Sequence, residues 1–316
     1  MTTTHTAPAT GATRATTLAA PRPRYGEKVI GGLLGVCALL SMATTAGILV
    51  ALLGPTVEFF REQSFVEFFT STTWSPLFAD PHYGVVPLVS ATLVITVVAL
   101  LVALPIGLAS AIYLSEYARP GVRKTVKPML EVLAGIPTVV YGFFAISFVT
   151  PILQRIWFVG DPPSIFNAAS AGLVMGIMIV PTIASMSEDA MTAVPDSLRA
   201  GALALGGNQL QVTMRVVLPA ALSGIVAAFV LGVSRAIGET MIVLIAAGGT
   251  PTLSFDPAEA MQTMTAFIAS AGLGDQPTGS SGYLTIFAVG SLLFAFTLVM
   301  NLLSIRLVRR YREVYE

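Results

Sequence analysis

The chain has 316 residues, of which 54% are hydrophobic and 11% charged, with a mean hydropathy of +0.80 and a formal net charge of zero. Soluble domains carry about 25% charged residues, and a water-soluble fold of this length cannot bury so much apolar surface, so lipid must solvate much of it. Zero net charge offers no field for nucleic acid, and the single cysteine, Cys37, excludes an intrachain disulfide.

Residues 1–28 form a polar tail whose first 24 positions are rich in Thr, Ala and Pro, a composition of disorder. Six apolar runs follow, each long enough to cross about 30 Å of hydrocarbon as a helix. They cover residues 29–54, 85–115, 132–154, 165–187, 220–247 and 283–305. The first carries no charge, and it is too long and too far from the N-terminus for a signal peptide's apolar region. The runs are continuous rather than alternating in segments of about ten, which excludes a barrel. The expectation is an all-α polytopic membrane protein with six transmembrane helices and a short C-terminal tail, residues 307–316.

The loop 55–84 interleaves Phe59, Phe60, Phe65, Phe68 and Phe69 with Glu58, Glu62 and Glu67. This suits a short interfacial helix, or a docking surface for an external partner. His82 reads as a loop residue, and His5 lies far from it, so neither suggests a metal site. Fourteen of the 17 Lys and Arg residues fall in the two tails and in the loops after spans two and four. Only Arg61 and Arg155 fall on the other side, so both termini are expected in the cytoplasm.

The loop after span four, residues 187–225, is too patterned for a plain linker. Pro195 with Asp196 and Ser197 marks a helix start, with Leu198, Ala202 and Leu205 on one face. Gly206 and Gly207 end it, and Pro219 opens span five, where first-turn N–H groups lack intrahelical partners. A helical hairpin joining two spans would show the same pattern. The segment also resembles the cytoplasmic coupling motif of ABC importer permeases: EAA, three residues, G, nine residues, I, one residue, LP. Ala200, Gly201 and Ala202 stand in the EAA place, Gly206 follows at the motif spacing, then Val216, Leu218 and Pro219. The motif's glutamate is Ala200 here. The resemblance implies that this helix docks on an ATPase subunit, with Arg199, Asp196 and Arg215 available for further contacts.

Span five carries two charges, Arg235 and Glu239. Each costs about 2.5–3.5 kcal/mol at a helix centre, and such charges face a bundle interior or a watery path. Four residues apart on a continuous helix, they would share a face. A structural ion pair is one reading, although Arg before Glu is the weaker order for it. Anion passage is the other, since the guanidinium fork matches oxyanion oxygens. A neighbouring carboxylate would then accept from a P–OH group and disfavour sulfate, which has none. Gly232 and Gly238 remove side-chain bulk beside the pair.

RAIGETM, residues 235–241, resembles the signature of phosphate-specific ABC importer permeases. AGIPTVVYG (134–142) and SEDAMTAVPDSLR (187–199) resemble their third-span motif and their approach to the coupling loop. The GETMIV continuation is similar to the PstC type rather than to its PstA partner. The resemblance covers residues 86–306 and implies a type I ABC importer permease fold in a bacterial inner membrane. It also implies a PstA-type second permease, a PstB-type ATPase dimer and a PstS-type phosphate-binding protein as partners. Arg235, Glu239 and Gly238 would line the phosphate path.

No GxxxxGK[ST] loop occurs in the chain, so ATP and Mg²⁺ are expected on the separate ATPase, with no cofactor here. No catalytic set is apparent, and the chain is not expected to be an enzyme. The alternatives are an importer of another oxyanion, molybdate or sulfate, and a proton-coupled secondary transporter, which would leave the coupling motif without purpose.

Overall fold

The computed structural model describes residues 25–78, 80–158 and 160–310. Of the tail expected to be disordered, residues 1–28, the first 24 lie outside them, as do the last six residues of the chain, whereas residues 25–28 are helical and belong to the first span's helix. The regular elements among the described residues are all helices, with one isolated bridge between Trp74 and Tyr83. The chain divides into two compact units, Met1–Val50 and Ala51–Glu316.

The described part of the first unit is the opening stretch of α1 (Tyr25–Glu62). Its apolar side chains from Val29 to Val50 are exposed, apart from the half-buried Leu49, as suits a helix solvated by lipid. The helix does not stop at residue 54. It continues through Pro55 to Glu62, so the loop that follows is shorter than the sequence suggests.

In the second unit, α2 (Phe65–Thr70) begins at Ser64, whose Oγ accepts from Glu67 N–H. Phe59 and Phe68 are fully buried, joined edge-to-face to each other, to Phe60 and to Tyr83. Trp74 links this cluster to Phe267. The phenylalanines therefore build a protein core at this end; only Phe65 and Phe69 keep the exposure that an interfacial helix predicts.

α3 (Val86–Ile112) runs into a π-turn, Tyr113–Tyr117. Then α4 (Pro120–Ala134) forms a separate amphipathic helix with no buried residue. Residues 132–134 belong to α4 and not to the third span, because Gly135 caps α4 and Pro137 disfavours helical backbone at Ile136. The third span is α5 (Thr138–Phe144), a π-turn at Ala145–Val149, and α6 (Thr150–Ile156). The fourth is α7 (Ala168–Thr192), capped by Asn167, whose Oδ1 accepts from Ser170 N–H at 2.7 Å.

α3 and α7 form the spine. A Cβ on Gly176 would lie 2.7 Å from the Ala99 carbonyl oxygen, and one on Gly107 would meet Ile183. These glycines let the two backbones approach closely, the usual route to tight packing between helices in lipid.

After α7 come α8 (Asp196–Ala204), α9 (Gln209–Val212), a π-turn at Thr213–Val217 and α10 (Leu218–Ala220). A 71° bend separates residues 209–220 from α11 (Leu222–Ile237). The fifth span is not one helix. It stops at Ile237, breaks over residues 238–240, and resumes as α12 (Met241–Ala246). An extended segment leads to α13 (Met264–Gly272), and α14 (Ser281–Arg310) closes the fold, its helix continuing past residue 306. Among the described residues, five helices are long and apolar enough to cross a membrane, or six when the bent pair counts as one span.

Candidate translocation and coupling sites

The break in span five decides the geometry of its two charges. Arg235 sits in the last turn of α11, whereas Glu239 lies beyond the helix end, so the pair does not share a helical face. Glu239 Oε1 instead accepts the N–H groups of Met241 (3.0 Å) and Ile242 (3.3 Å), the opening turn of α12. These two donors have no intrahelical acceptor, and the carboxylate stands in for one. Gly238 is the exposed cap residue of α11, carrying no side chain over the break.

No ion pair joins Arg235 to a carboxylate among the described residues. Its guanidinium makes one long hydrogen bond, 3.5 Å to Thr182 Oγ1 on α7. Five N–H donors on a half-buried planar cation are thus almost unspent. Glu239 is 9% exposed, and no ion pair joins it to a cation among the described residues. Its backbone carbonyl accepts from Thr265 Oγ1 at 2.7 Å, and Thr265 bonds Thr263 at 3.0 Å. Thr92 Oγ1, on α3, accepts from Met264 N–H at 3.1 Å.

Together Thr92, Thr96, Glu239, Thr263 and Thr265 line a crevice of about 160 Å³ between α3, α11, α12 and α13, too narrow for water. Sequence reasoning finds Arg235, Gly238 and Glu239 but not the threonines. A threonine in an apolar run costs little, and only the packing of α3 against α13 sets these four beside the carboxylate.

At the α8 end, Arg199 does not reach outward. Its guanidinium donates to the carbonyls of Val194 (2.5 Å) and Met191 (2.7 Å), and to Glu116 Oε1 (3.1 Å) and Asp196 Oδ1 (3.2 Å). It fastens α8 to the end of α7 and to the π-turn after α3. Ala200 and Gly201 are exposed, and Ala202 packs with Leu198 against a core that includes Met191, Val212 and Val217. Leu205 does not join that face. As the residue capping α8 it points away and is 92% exposed.

Gly206 follows with φ +84°, the left-handed conformation glycine supplies at helix ends. Asn208 and Gln211 then form a capping box that starts α9. Leu218 and Pro219 open α10, just before the 71° bend.

A second ionic cluster at this end has no counterpart in the sequence reading of charges. Glu188, fully buried on α7, is met by Arg123 and by Lys127 Nζ (2.7 Å) from α4, and Lys127 also bonds Asp189 (2.5 Å). Thr192 completes it, accepting from Arg123 (3.0 Å) and donating to Glu188 (3.1 Å). Burial pushes the Lys127 pKa down, but bonds to Asp189 and Glu188 outweigh it and hold the pKa above the ordinary 10.5.

Among known proteins, residues 103–313 match the family described as binding-protein-dependent transport system inner membrane component. The chain is 36% identical over 275 residues to a probable ABC transporter permease protein, YqgH, of Bacillus subtilis, covering 86% of each. It is 34% identical to the phosphate transport system permease protein PstC 1 of Mycobacterium tuberculosis, covering 78% of this chain and 82% of the relative.

A crystal structure of a bacterial ABC transporter involved in import of the polysaccharide alginate superposes with a TM-score of 0.61 at 17% identity. The match covers 92% of this chain and all of that one. The inward-facing methionine transporter MetNI gives 0.52 at 21% identity, covering 73% and 95%. The fold is that of a type I ABC importer permease, all-α and multi-pass. By family match, relatives and fold together, this chain belongs to the binding-protein-dependent transport system inner membrane components, the permease subunits of ABC importers.

Proposed function

We propose that this chain is a PstC-type permease of an ATP-driven phosphate importer, forming half of the translocation path by alternating access. A permease of this family works with an ATPase and a substrate-binding protein, and is not itself an enzyme. In this reading those partners are a PstB-type ATPase dimer, which holds ATP and Mg²⁺, and a PstS-type phosphate-binding protein. A PstA-type permease supplies the other half of the path. The chain spans the inner membrane with both termini in the cytoplasm, a placement supported by the asymmetry of its Lys and Arg residues.

The observation that carries the proposal is Arg235: a cation within a membrane span whose guanidinium has one long hydrogen bond and no carboxylate partner among the described residues. Such a charge is unfavourable in lipid, and an oxyanion would satisfy its free donors bidentately. Relatives named as phosphate permeases support the choice of oxyanion. At the α8 end, the exposed Ala200–Gly201 edge and the projecting Leu203 and Leu205 suit an apolar docking surface for the ATPase.

The test is labelled phosphate uptake in cells lacking their own high-affinity system, supplied with this chain and its three partners. ATP-dependent uptake that collapses in Arg235→Gln, with the complex still assembled, is the expected result. Unchanged uptake in the variant would make Arg235 structural. Transport of molybdate or sulfate in place of phosphate would overturn the substrate and leave the architecture standing.

A further inference from the structure

The crevice beside Glu239 contains an anomaly. Thr96 is 5% exposed, and its Oγ1 is buried with no hydrogen-bond partner. A helical threonine normally has an easy partner in the carbonyl four residues back. Thr92, one turn earlier on α3, uses it, donating to Leu88 O at 2.7 Å. Thr96 does not. An unmade bond at a buried hydroxyl is unfavourable, and buried polar groups are almost always satisfied.

One further group in the crevice points the same way. Glu239 commits Oε1 to the α12 backbone, but no described hydrogen bond uses Oε2. On the opposite wall Thr265 donates to Glu239 O and Thr263 to Thr265, so Thr96 is the free donor of the four threonines. A free O–H donor and a free carboxylate oxygen complement a tetrahedral anion that carries both bare and protonated oxygens.

We infer that Thr96 is a substrate ligand: its hydroxyl donates to an anion oxygen while Glu239 Oε2 accepts from a P–OH, in a state where α12 and α13 have drawn away from α3. The inference rests on the phosphate reading above and adds a specific residue to it. The crevice excludes even water as it stands, so an anion enters only when its walls separate. That separation would turn on the break at residues 238–240 and the extended segment before α13, where Gly248 has φ +97°. Thr96 holds no partner with the crevice shut, so no protein bond must break before it reaches the anion.

Thr96→Val keeps the shape and removes only the hydroxyl. A merely structural orphan predicts equal or higher thermal stability and unchanged transport, because an unsatisfied polar atom has been deleted. The inference predicts equal or higher stability with uptake at limiting phosphate lowered about tenfold, and recovery in Thr96→Ser. Wild-type uptake in an assembled Thr96→Val complex overturns it. Should Thr96→Val fail to assemble, Thr96→Ala removes the same hydroxyl with less bulk and is read the same way. If the wild-type complex carries molybdate or sulfate and not phosphate, a loss of that transport in Thr96→Val keeps Thr96 as a ligand while the phosphate reading fails.

Discussion

Arg199 and Glu116, 83 positions apart, are joined by a 3.1 Å charge-assisted bond that ties α8 to the turn ending α3. Glu116 is almost fully buried and Arg199 mostly so. Gln209 reinforces the link from the next helix, donating to Glu116 O at 3.2 Å. These bonds tie α8 to the ends of both α3 and α7, the two helices at the centre of the fold.

Breaking this bond from one side leaves an uncompensated buried charge. Glu116→Ala and Arg199→Ala should each destabilise by about 3–5 kcal/mol, lowering the thermal unfolding midpoint of the detergent-solubilised complex. The double variant should fall well short of the sum, since both remove one interaction. Full additivity would mean that the pair is not coupled.

Lys127 supports a pH prediction. Its folded pKa lies above its unfolded value of 10.5, so its contribution to stability is complete below 10.5 and disappears as pH climbs through the higher folded value. The unfolding midpoint should drop on that alkaline limb more steeply in the wild type than in Lys127→Met. Parallel pH profiles would show that Asp189 and Glu188 do not hold its proton.

The approach of α3 and α7 predicts a steric effect. Gly176→Ala sets a methyl against the immobile Ala99 carbonyl and should destabilise by about 1–3 kcal/mol. Gly121→Ala, where nothing lies within 4 Å, is the matched control and should unfold with the wild type.

Glu239 has two separable roles. Glu239→Gln retains a carbonyl oxygen for the Met241 and Ile242 N–H groups and should leave stability nearly unchanged. Glu239→Ala loses that cap and should be destabilised by about 1 kcal/mol. Both remove the carboxylate, so both should erode the preference for phosphate over sulfate in competition uptake. Retained preference in Glu239→Gln would confine the residue to capping.

The six apolar runs were legible because lipid imposes a simple requirement on sequence: about 20 continuous apolar residues with backbone bonds satisfied locally. Arg235 and Glu239 stood out for the same reason, as charges in a run that otherwise has none. Helix boundaries were less legible. Residues 132–134 are apolar enough for a span yet belong to α4, since Gly135 and Pro137 rather than hydropathy decide where that helix stops. The phenylalanines of residues 59–69 fit an amphipathic surface helix, and only the folding of α2 against Trp74 and Tyr83 makes them core.

The sequence by itself determined that this protein lives in lipid, how often it crosses, and which residues bring charge into the crossing. These follow from local composition, which the solvent reads directly. Tertiary structure alone decided what those charges meet. Arg235 and Glu239 are separated by a helix break, Arg199 turns inward to Glu116, and Glu188 is buried among cations from α4. Four threonines from α3 and the segment opening α13 line one crevice with Glu239. Such pairings join positions tens to nearly two hundred residues apart, and packing, with no local signature, sets them side by side.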